Sequence, residues 1–466
     1  MSEIVLKYIC PVSDIIFTEG FLFMRIQLSE HFTYRKLLRF TLPSVIMMVC
    51  TSIYGVVDGV FVSNFVGSDA FAAVNLIMPF LMVLGAVGFM LGTGGSALVA
   101  YTLGAGNEKR ANEIFSLLIY VLIGVGAVFT IGGIAFLTPM SRLLGADETM
   151  LPVCVSYGRI VLLGLIPYML QNTFQSFLVT AERPQLGLYV TIAAGVTNIA
   201  LDALFVAVLQ WGAEGAALAT ILSQFVGGAI PLVYFLRPNS SKLRLGRTAF
   251  HGRALLQACA NGSSEFMTNI SMSVVNMLYN WQLMRLMGSG GVAVYGVIMY
   301  VNFIFIAIFL GYSMGSAPIV GYHYGAGNRA ELRGLLRKSL CIITVMSVVL
   351  TAAALLLARP LSMIFMSKEA TLLPVTIRAF SIYSLSFLMA GYNIYASSFF
   401  TALNDGFISA LISFARTLVF QVAAVIVLPV LWDIDGVWAA VVAAETLALL
   451  LSAACLVGKR KKYGYA

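Results

Sequence analysis

The sequence predicts an all-α polytopic membrane protein with twelve transmembrane helices in two pseudo-symmetric six-helix lobes. Hydrophobic residues make up 60% of the 466 residues and charged residues 10%, whereas soluble domains contain about 45–50% and 25%. The apolar runs reach the roughly 20 residues that a helix needs to cross a hydrocarbon core of about 30 Å. The same residues also recur at a constant offset of 221 positions, which indicates that the two halves arose by duplication.

Apolar runs separated by turn residues predict six spans in each half. They lie at approximately 38–63, 71–103, 113–138, 152–180, 186–209, 213–236, 254–284, 292–324, 335–358, 372–401, 407–431 and 435–457. GAGN follows the second and eighth spans, and ERP at 182–184 and ND at 404–405 follow the fourth and tenth. Glycine readily adopts the positive φ found at helix ends, and Pro184 cannot continue the preceding helix. These signals divide the chain into twelve helical spans.

The repeated positions include a whole motif as well as single residues. The motif YxxGAGN occurs at 101–107 and again at 322–328, and the same offset places Gly67 on Gly288 and Gly94 on Gly315. Because each half has an even number of spans, both halves are expected to enter the membrane in the same direction. This is a parallel repeat, an arrangement typical of secondary transporters.

The distribution of basic residues predicts the orientation in the membrane. Twenty Lys and Arg residues fall in segments predicted to face inward and four in segments predicted to face outward, which places both termini in the cytoplasm. The net charge of +8 is explained by this bias, so no nucleic-acid partner is expected.

The predicted organisation has five parts. They are an N-terminal extension at 1–30, a first lobe at 31–236, a cytoplasmic linker at 237–253, a second lobe at 254–458 and a basic cytoplasmic tail at 459–466. The extension fits an interfacial segment, or a stretch upstream of an alternative start at Met24. The six cysteines and three histidines show no paired spacing, so neither disulfides nor a cofactor are expected.

Four acidic residues remain inside the predicted spans: Asp58, Asp202, Glu265 and Glu445. Ionisable groups in a bilayer are costly and usually mark an ion or substrate route. The alternative is that each acid is paired structurally with an arginine or a backbone donor. Three arginines near span ends are interpreted as anchors that snorkel toward water: Arg159, Arg378 and Arg416.

The two aspartates are expected to lie at similar depth in the first lobe. Each is about six residues from the outer end of its span, or roughly 9 Å at 1.5 Å per residue. Asn198 lies one turn before Asp202, Thr220 is level with them, and Ala216 offers a backbone carbonyl nearby. Such a set of oxygen ligands suits a hard cation, including Na⁺ at Asp58, Asn198, Asp202 and Thr220. The two acids could instead share a proton, and the residues do not distinguish Na⁺ from H⁺.

The second half lacks these groups. At the offset of 221, Asp58, Asn198, Asp202 and Thr220 become Tyr279, Val419, Ala423 and Val441. Conversely, Glu265 and Glu445 correspond to Ser44 and Gln224. The predicted ion-coupling cluster therefore belongs to the first lobe, and Glu265 and Glu445 are candidates for a substrate or second-lobe acid.

Over approximately residues 30–458, the chain resembles bacterial transporters of the multidrug and toxic compound extrusion (MATE) family. The resemblance rests on Pro43 and Asp58, GSxxxA at Gly67 and Gly288, both YxxGAGN motifs, and Asn198-xxx-Asp202 followed by Ala216 and Thr220. It implies a V-shaped pair of lobes around a central cavity that opens alternately to the two sides. It also implies a first helix that bends at Pro43, where a backbone hydrogen bond is missing. Tyr157 matches a polar position of the ion network, and Glu265 resembles an acid of the seventh helix.

The expected function is efflux of cationic or amphipathic organic compounds in exchange for Na⁺ or H⁺, across a bacterial cytoplasmic membrane. We expect no enzymatic activity and a functional monomer within the lipid bilayer. Lipophilic organic cations or other small-molecule drugs would contact aromatic and Met surface and an acid. One alternative is a flippase for lipid-linked oligosaccharides or other lipids with the same architecture. An intramembrane aspartyl protease fits less well, because VVDGV and ALDAL differ from YD and GxGD motifs.

Overall fold

The computed structural model describes residues 26–66, 68–366 and 371–465. Within these ranges the chain forms fourteen α-helices and two π-helical segments. The α-helices are α1 Tyr34–Phe65, α2 Ser68–Gly104, α3 Glu108–Leu143, α4 Leu151–Leu163, α5 Leu165–Thr180, α6 Pro184–Asp202, α7 Gly212–Leu236, α8 Gly252–Met287, α9 Ser289–Gly325, α10 Arg329–Met366, α11 Leu372–Ser384, α12 Phe387–Ala402, α13 Gly406–Phe414 and α14 Phe420–Tyr463. The π-helical segments are Ala203–Val208 and Ala415–Val419.

These helices supply twelve membrane spans across the described residues. Eight are long and apolar enough to cross a membrane, and the number is ten when the bent pairs α4–α5 (51°) and α11–α12 (44°) each form one span. The run from Gly406 to Tyr463 is one of the eight, but its backbone is non-helical at Trp432 and Asp433, so it contains two spans. The twelfth is α8. Its 36 residues are long enough to cross a membrane, but it is not among the eight apolar helices because it contains many polar side chains. The prediction of an all-α protein with six spans in each half is confirmed.

The predicted helix stops adopt the expected backbone geometry. Gly106 and Gly327 have φ values of +80° and +69°, and Glu182 and Asn404 have +60° and +58°. Asn107 caps α3 by accepting a hydrogen bond from the backbone N–H of Arg110 at 3.0 Å. The GAGN motif therefore ends one helix and begins the next.

Glycines bring the two halves together. A Cβ atom on Gly104 would overlap the carbonyl oxygen of Tyr322, and one on Gly325 would overlap that of Tyr101. The two copies of YxxGAGN therefore pack on each other across the pseudo-symmetry axis. In membranes, small residues are the usual means of such close helix approach, because they let backbones touch.

Close contacts continue away from the motifs along α1, α2, α8 and α9. Gly94 of α2 lies against Gly262 of α8, and Gly315 of α9 lies against Thr41 of α1. We call the side of the molecule with both GAGN turns and the turns at 181–183 and 403–405 the basic side. Both described ends of the chain lie there, since Leu28 contacts Glu182 and Tyr463 contacts Asp405.

The linker between the halves is attached to α3 on the basic side. Asn112 donates to the carbonyl of Lys242 (3.0 Å) and accepts from the N–H of Arg244 (2.6 Å). Further along, the N–H of Gly246 donates to Ser116 Oγ at 3.0 Å. These contacts hold the linker against the surface of the first half.

Candidate functional site

The first half contains a buried carboxylate pair formed by α1 and α6. Asp58 lies on α1, and Asp202 is the last residue of α6, with no exposed surface. The two helices pack closely because Gly195 of α6 leaves room for the ring of Tyr54 on α1; a Cβ atom at Gly195 would lie 3.2 Å from that ring. The π-helical segment Ala203–Val208 begins directly after Asp202. π-helical turns next to α-helices are frequent at functional sites.

The two carboxyl groups are direct neighbours that interact with each other. Both oxygens of Asp202, together with Oδ1 of Asp58 and Oδ1 of Asn198, are buried and have no hydrogen-bond donor among the described residues. Two adjacent carboxylates in a medium of low dielectric constant repel each other and have lost their hydration. A shared proton or a bound cation relieves such repulsion between neighbouring carboxylates. The structure thus brings together Asp58, Asn198 and Asp202, as the sequence predicts.

Residues of α4 and α7 complete the surroundings of this pair. Tyr157 of α4 is buried and within electrostatic reach of both carboxyl groups. Ala216 of α7 packs with Val62 of α1 and Val206 of the π-helical segment, so this part of α7 lies beside the helix that carries Asp58. Thr220, one turn further along α7, lines a cavity between α2, α4, α5 and α7.

This cavity has a volume of about 110 Å³ and is largely apolar. It is lined by Met78, Leu81, Met82, Tyr157, Val161, Leu162, Leu165, Tyr168, Thr220 and Gln224. Gln224 Oε1 is buried and has no donor in the described part of the chain. The cavity therefore lies next to the carboxylate pair and shares Tyr157 with it.

Sequence reasoning missed three polar residues around the pair. Tyr54 lies one turn before Asp58 and interacts with both Asp58 and Gln171, and Gln224 lies one turn after Thr220. Tyr54 and Gln224 follow the i, i+4 spacing of residues that share one helix face, which is the signal that could have identified them. Gln171 lies on another helix, and its proximity depends on packing.

A metal centre built from acids, histidines and cysteines is absent from the described residues. No group of three such side chains is close enough to hold an ion. A Na⁺ ion at this site would therefore take two carboxylates and complete its ligand set with amide, hydroxyl or carbonyl oxygens, which are ligands that hard cations accept.

In the second half, Glu445 is part of a buried ion pair. Arg416 donates from Nε to Glu445 Oε1 at 2.8 Å and approaches it through Nη2 at 2.7 Å. Asn393 donates to Oε2 of Glu445 at 2.8 Å and accepts from Ser452 at 3.0 Å. These contacts favour the structural alternative for Glu445.

The interpretation of Arg416 as a snorkelling anchor is wrong. Its side chain is only 16% exposed and is directed at Glu445. Arg416 lies in the π-helical segment Ala415–Val419. The buried positive charge therefore occurs where the helix is locally wider than an α-helix. Glu265 of α8 is half-buried and within electrostatic reach of Arg416.

Comparison with known proteins identifies the family. The MatE family sequence model matches twice, over residues 43–204 and 266–427, one copy in each half. The chain belongs to the MatE family. This confirms the predicted family, and because MatE proteins are transporters the chain is a membrane transporter and not an enzyme.

Individual MatE relatives have low sequence identity to this chain but match over most of its length. The chain is 22% identical to the multidrug export protein MepA of Staphylococcus haemolyticus, over 91% of this chain and 93% of that protein. It is also 22% identical to MepA of Staphylococcus aureus, over 77% and 80%. A solved structure described as the outward-facing conformation of a multidrug resistance MATE family transporter aligns with a TM-score of 0.87, at 22% identity, over 96% of this chain and 98% of that one.

Pro43, the predicted hinge, lies within α1. Pro43 is buried, and α1 runs through it without interruption from Tyr34 to Phe65. A proline inside a helix removes one backbone hydrogen bond, so a bend at this point remains a prediction for another state of the transporter.

Proposed function

We propose that this chain is a secondary active multidrug efflux antiporter that exchanges Na⁺ or H⁺ for cationic or amphipathic organic compounds. The proposal rests on one observation, the adjacent carboxyl groups of Asp58 and Asp202 whose buried oxygens have no donor in the described structure. A proton or cation that neutralises the pair stabilises the conformation in which it binds. Substrate then favours the other conformation, and linkage requires each ligand to weaken the other.

The lining of the neighbouring cavity suits an organic substrate, and its volume of about 110 Å³ would take only part of a drug-sized compound in this conformation. Met78, Met82 and Tyr168 on its wall offer polarisable and aromatic surface, which suits lipophilic and cationic molecules of varied shape. A ligand there would share Tyr157 with the carboxylate pair, so that a change in one site is felt at the other. The names of the MepA relatives, which are described as multidrug export proteins, support the same substrate class.

The difference between the halves supports coupling through the first half. In the second half, the buried carboxylate of Glu445 is already neutralised by Arg416. In the first half, the residue at the offset from Arg416 is Gly195, and no equivalent positive charge neutralises Asp202 among the described residues. We therefore expect one coupling site, formed by Asp58, Asn198, Asp202, Ala216 and Thr220 with Tyr157 beside it. Glu265 is then the second-half acid that remains a candidate for substrate contact.

Orientation and state follow from the packing and the charges. The basic side is proposed to face the cytoplasm of a bacterial cell, with both termini inside, because Lys and Arg are enriched there. Gly104 and Gly325 hold the two halves in contact on this side, so the basic side is closed in this conformation. A monomer is expected to suffice, since the carboxylate pair and the cavity lie within one chain.

The proposal is tested by efflux of a fluorescent organic cation, ethidium, from proteoliposomes under an imposed Na⁺ or H⁺ gradient. One of the two gradients should drive ethidium movement above that of protein-free liposomes, and this result identifies the coupling ion. If neither gradient moves ethidium while a fluorescent lipid is exchanged between leaflets, the protein is a flippase and drug antiport is wrong.

A further inference from the structure

Residues 26–33 precede α1 and bridge the two halves on the basic side. We call this segment the strap. The backbone N–H of Leu28 donates to Glu182 Oε1 at 3.0 Å, and Glu182 lies in the turn between α5 and α6 of the first half. Four residues later, the N–H of Phe32 donates to Glu331 Oε1 at 2.9 Å, and Glu331 lies in the first turn of α10 in the second half. One short segment therefore contacts both lobes.

The strap is anchored by apolar side chains. Leu28 and Phe32 are 1% and 0% exposed, although they precede the first span. The ring of Phe32 makes edge contacts with Phe40 at 6.0 Å and with His323 of α9 at 6.3 Å. Lys338 of α10 donates to the carbonyl of Phe32 at 2.5 Å. Full burial of this kind is typical of core residues, so the strap is part of the folded structure.

Glu331 is the main polar attachment to the second half, and it precedes the apolar stretch of α10 that crosses the membrane. Its second oxygen pairs with His31 Nδ1 at 2.6 Å. Burial raises the pKa of Glu331, but the N–H of Phe32, the His31 ring and the charge of Lys338 outweigh it, so that the pKa lies below its usual value. The carboxylate is therefore ionised at neutral pH, and its hydrogen bonds are of the stronger, charge-assisted kind.

The other end of the chain is attached differently. Tyr463 at the end of α14 donates to Asp405 in the turn between α12 and α13, and its ring lies 5.8 Å from that of Tyr324 on α9. These partners all belong to the second half, as α14 does. The C-terminal end is thus held within one lobe, whereas the strap reaches across the boundary between lobes.

We propose that the strap is a latch that holds the basic side closed and detaches from the second half when that side opens. The strap continues into α1, so it stays with the first half when the lobes separate. Contacts with Glu331, Lys338 and His323 must then break. This inference rests on the proposed function only in assuming that the lobes separate on the basic side during transport.

The latch is tested by pulsed electron paramagnetic resonance distances between spin labels on the two lobes. Labels are attached at Lys109→Cys and Arg333→Cys, both exposed on the basic side, after replacement of the six native cysteines. Glu331→Gln removes the charged acceptor, and Phe32→Ala removes the buried anchor. Each should raise the ratio of open to closed molecules by about tenfold. A change of this size corresponds to the free energy contributed by about one charge-assisted hydrogen bond.

Glu30→Gln is the matched control. Its carboxylate bonds to Lys36 at 2.7 Å and to the N–H of Gln27 at 2.9 Å, both near it in sequence, so it should leave the distances unchanged. If Phe32→Ala does not fold, Glu331→Gln and Lys338→Met decide the outcome, because both side chains belong to the second half and contact the backbone of Phe32. Distance distributions of these two variants that superimpose on the wild type overturn the latch.

The same measurement separates the latch from the proposed function, because spin-label distances require no substrate. Opening of the variants alongside a wild type that moves no ethidium would leave the latch standing and exclude drug antiport. Normal ion-driven efflux with unchanged distances in the variants would exclude the latch and leave antiport standing.

Discussion

Two carboxyl groups that face each other away from water need a positive charge or a proton between them. Asp58 and Asp202 are in this position, with Asn198 beside them. Both oxygens of Asp202 and Oδ1 of Asp58 lack donors in the described structure, while the Glu445 carboxylate in the other half has three donating groups around it. The chemical difference between the two halves is therefore local, and it can be tested one residue at a time.

Ion binding to the aspartate pair should be visible as thermal stability without any transport assay. A ligand at 100 times its Kd stabilises the state that binds it by about 2.7 kcal/mol. We expect the melting temperature of the wild type to rise with added Na⁺, or with falling pH if the pair binds a proton, and Asp202→Asn to lose this dependence. Glu148→Gln, which changes an exposed carboxylate (87% exposed), should keep it. An unchanged ion response in Asp202→Asn would contradict the site.

The ion pair of Arg416 and Glu445 is expected to be structural. Arg416→Met should destabilise the protein by about 3–5 kcal/mol, because it leaves a buried carboxylate uncompensated. The double variant Arg416→Met with Glu445→Met should recover most of this loss, since both charges are removed together. Thermal unfolding of the two single variants and the double variant measures the coupling. Additive losses would show that the two side chains do not stabilise each other.

The sequence was a good guide to the site where residues share one helix or one depth. Asp58 and Asp202 could be matched because each is the same distance from a span end, and Asn198 because it is one turn from Asp202. Arg416 could not be interpreted in this way. Its direction depends on a π-helical turn and on the position of Glu445 on another helix, and neither is visible in local spacing.

At the level of elements, the helix ends were predictable because glycine, proline and capping asparagine act locally. The GAGN motifs illustrate the limit of this reasoning. The stop and the cap follow from Gly106 and Asn107, but the packing of Gly104 on Tyr322 depends on the pseudo-symmetric assembly. The sequence predicts a gap between two spans at 432–434. In the structure this gap is a short break at Trp432 and Asp433, with helix directly before and after it.

Substitution of Gly104 should loosen the contact between the halves. Gly104→Ala places a Cβ atom on the carbonyl oxygen of Tyr322, and overpacking of this kind costs about 1–3 kcal/mol. A lower melting temperature and a longer distance between spin labels at positions 109 and 333 are the expected results.

Gly124→Ala provides the comparison for this variant. Gly124 lies within α3 and has open space where the Cβ would be, so alanine should be neutral or stabilising because of its higher helix propensity. Equal stability of the two alanine variants would show that the GAGN contact does not limit the approach of the lobes.

At the scale of the whole molecule, duplication provides the architecture and divergence provides the chemistry. Both halves have six spans, a GAGN turn and a π-helical segment in the fifth span. The first half has an uncompensated carboxylate pair beside a cavity, and the second has a neutralised carboxylate at Glu445. The duplicated plan was readable from the offset of 221, whereas the strap was not, since the burial of Leu28 and Phe32 arises only where both halves meet.

Coupling through the first half predicts a separation of two kinds of transport. Gradient-driven movement of an organic cation requires ion exchange at the carboxylate pair, but exchange of labelled for unlabelled substrate requires only the substrate site and the conformational change. A variant defective in ion binding should therefore lose gradient-driven transport and keep the exchange of labelled for unlabelled substrate.

The most direct test compares ethidium transport by wild type and Asp202→Asn in proteoliposomes, once under the effective ion gradient and once as counterflow without a gradient. We predict that Asp202→Asn reduces gradient-driven transport by at least about 100-fold, because the neutral amide cannot exchange a proton or balance a cation, and that it retains counterflow. Gradient-driven transport by Asp202→Asn at the wild-type rate would contradict ion coupling at this carboxylate pair.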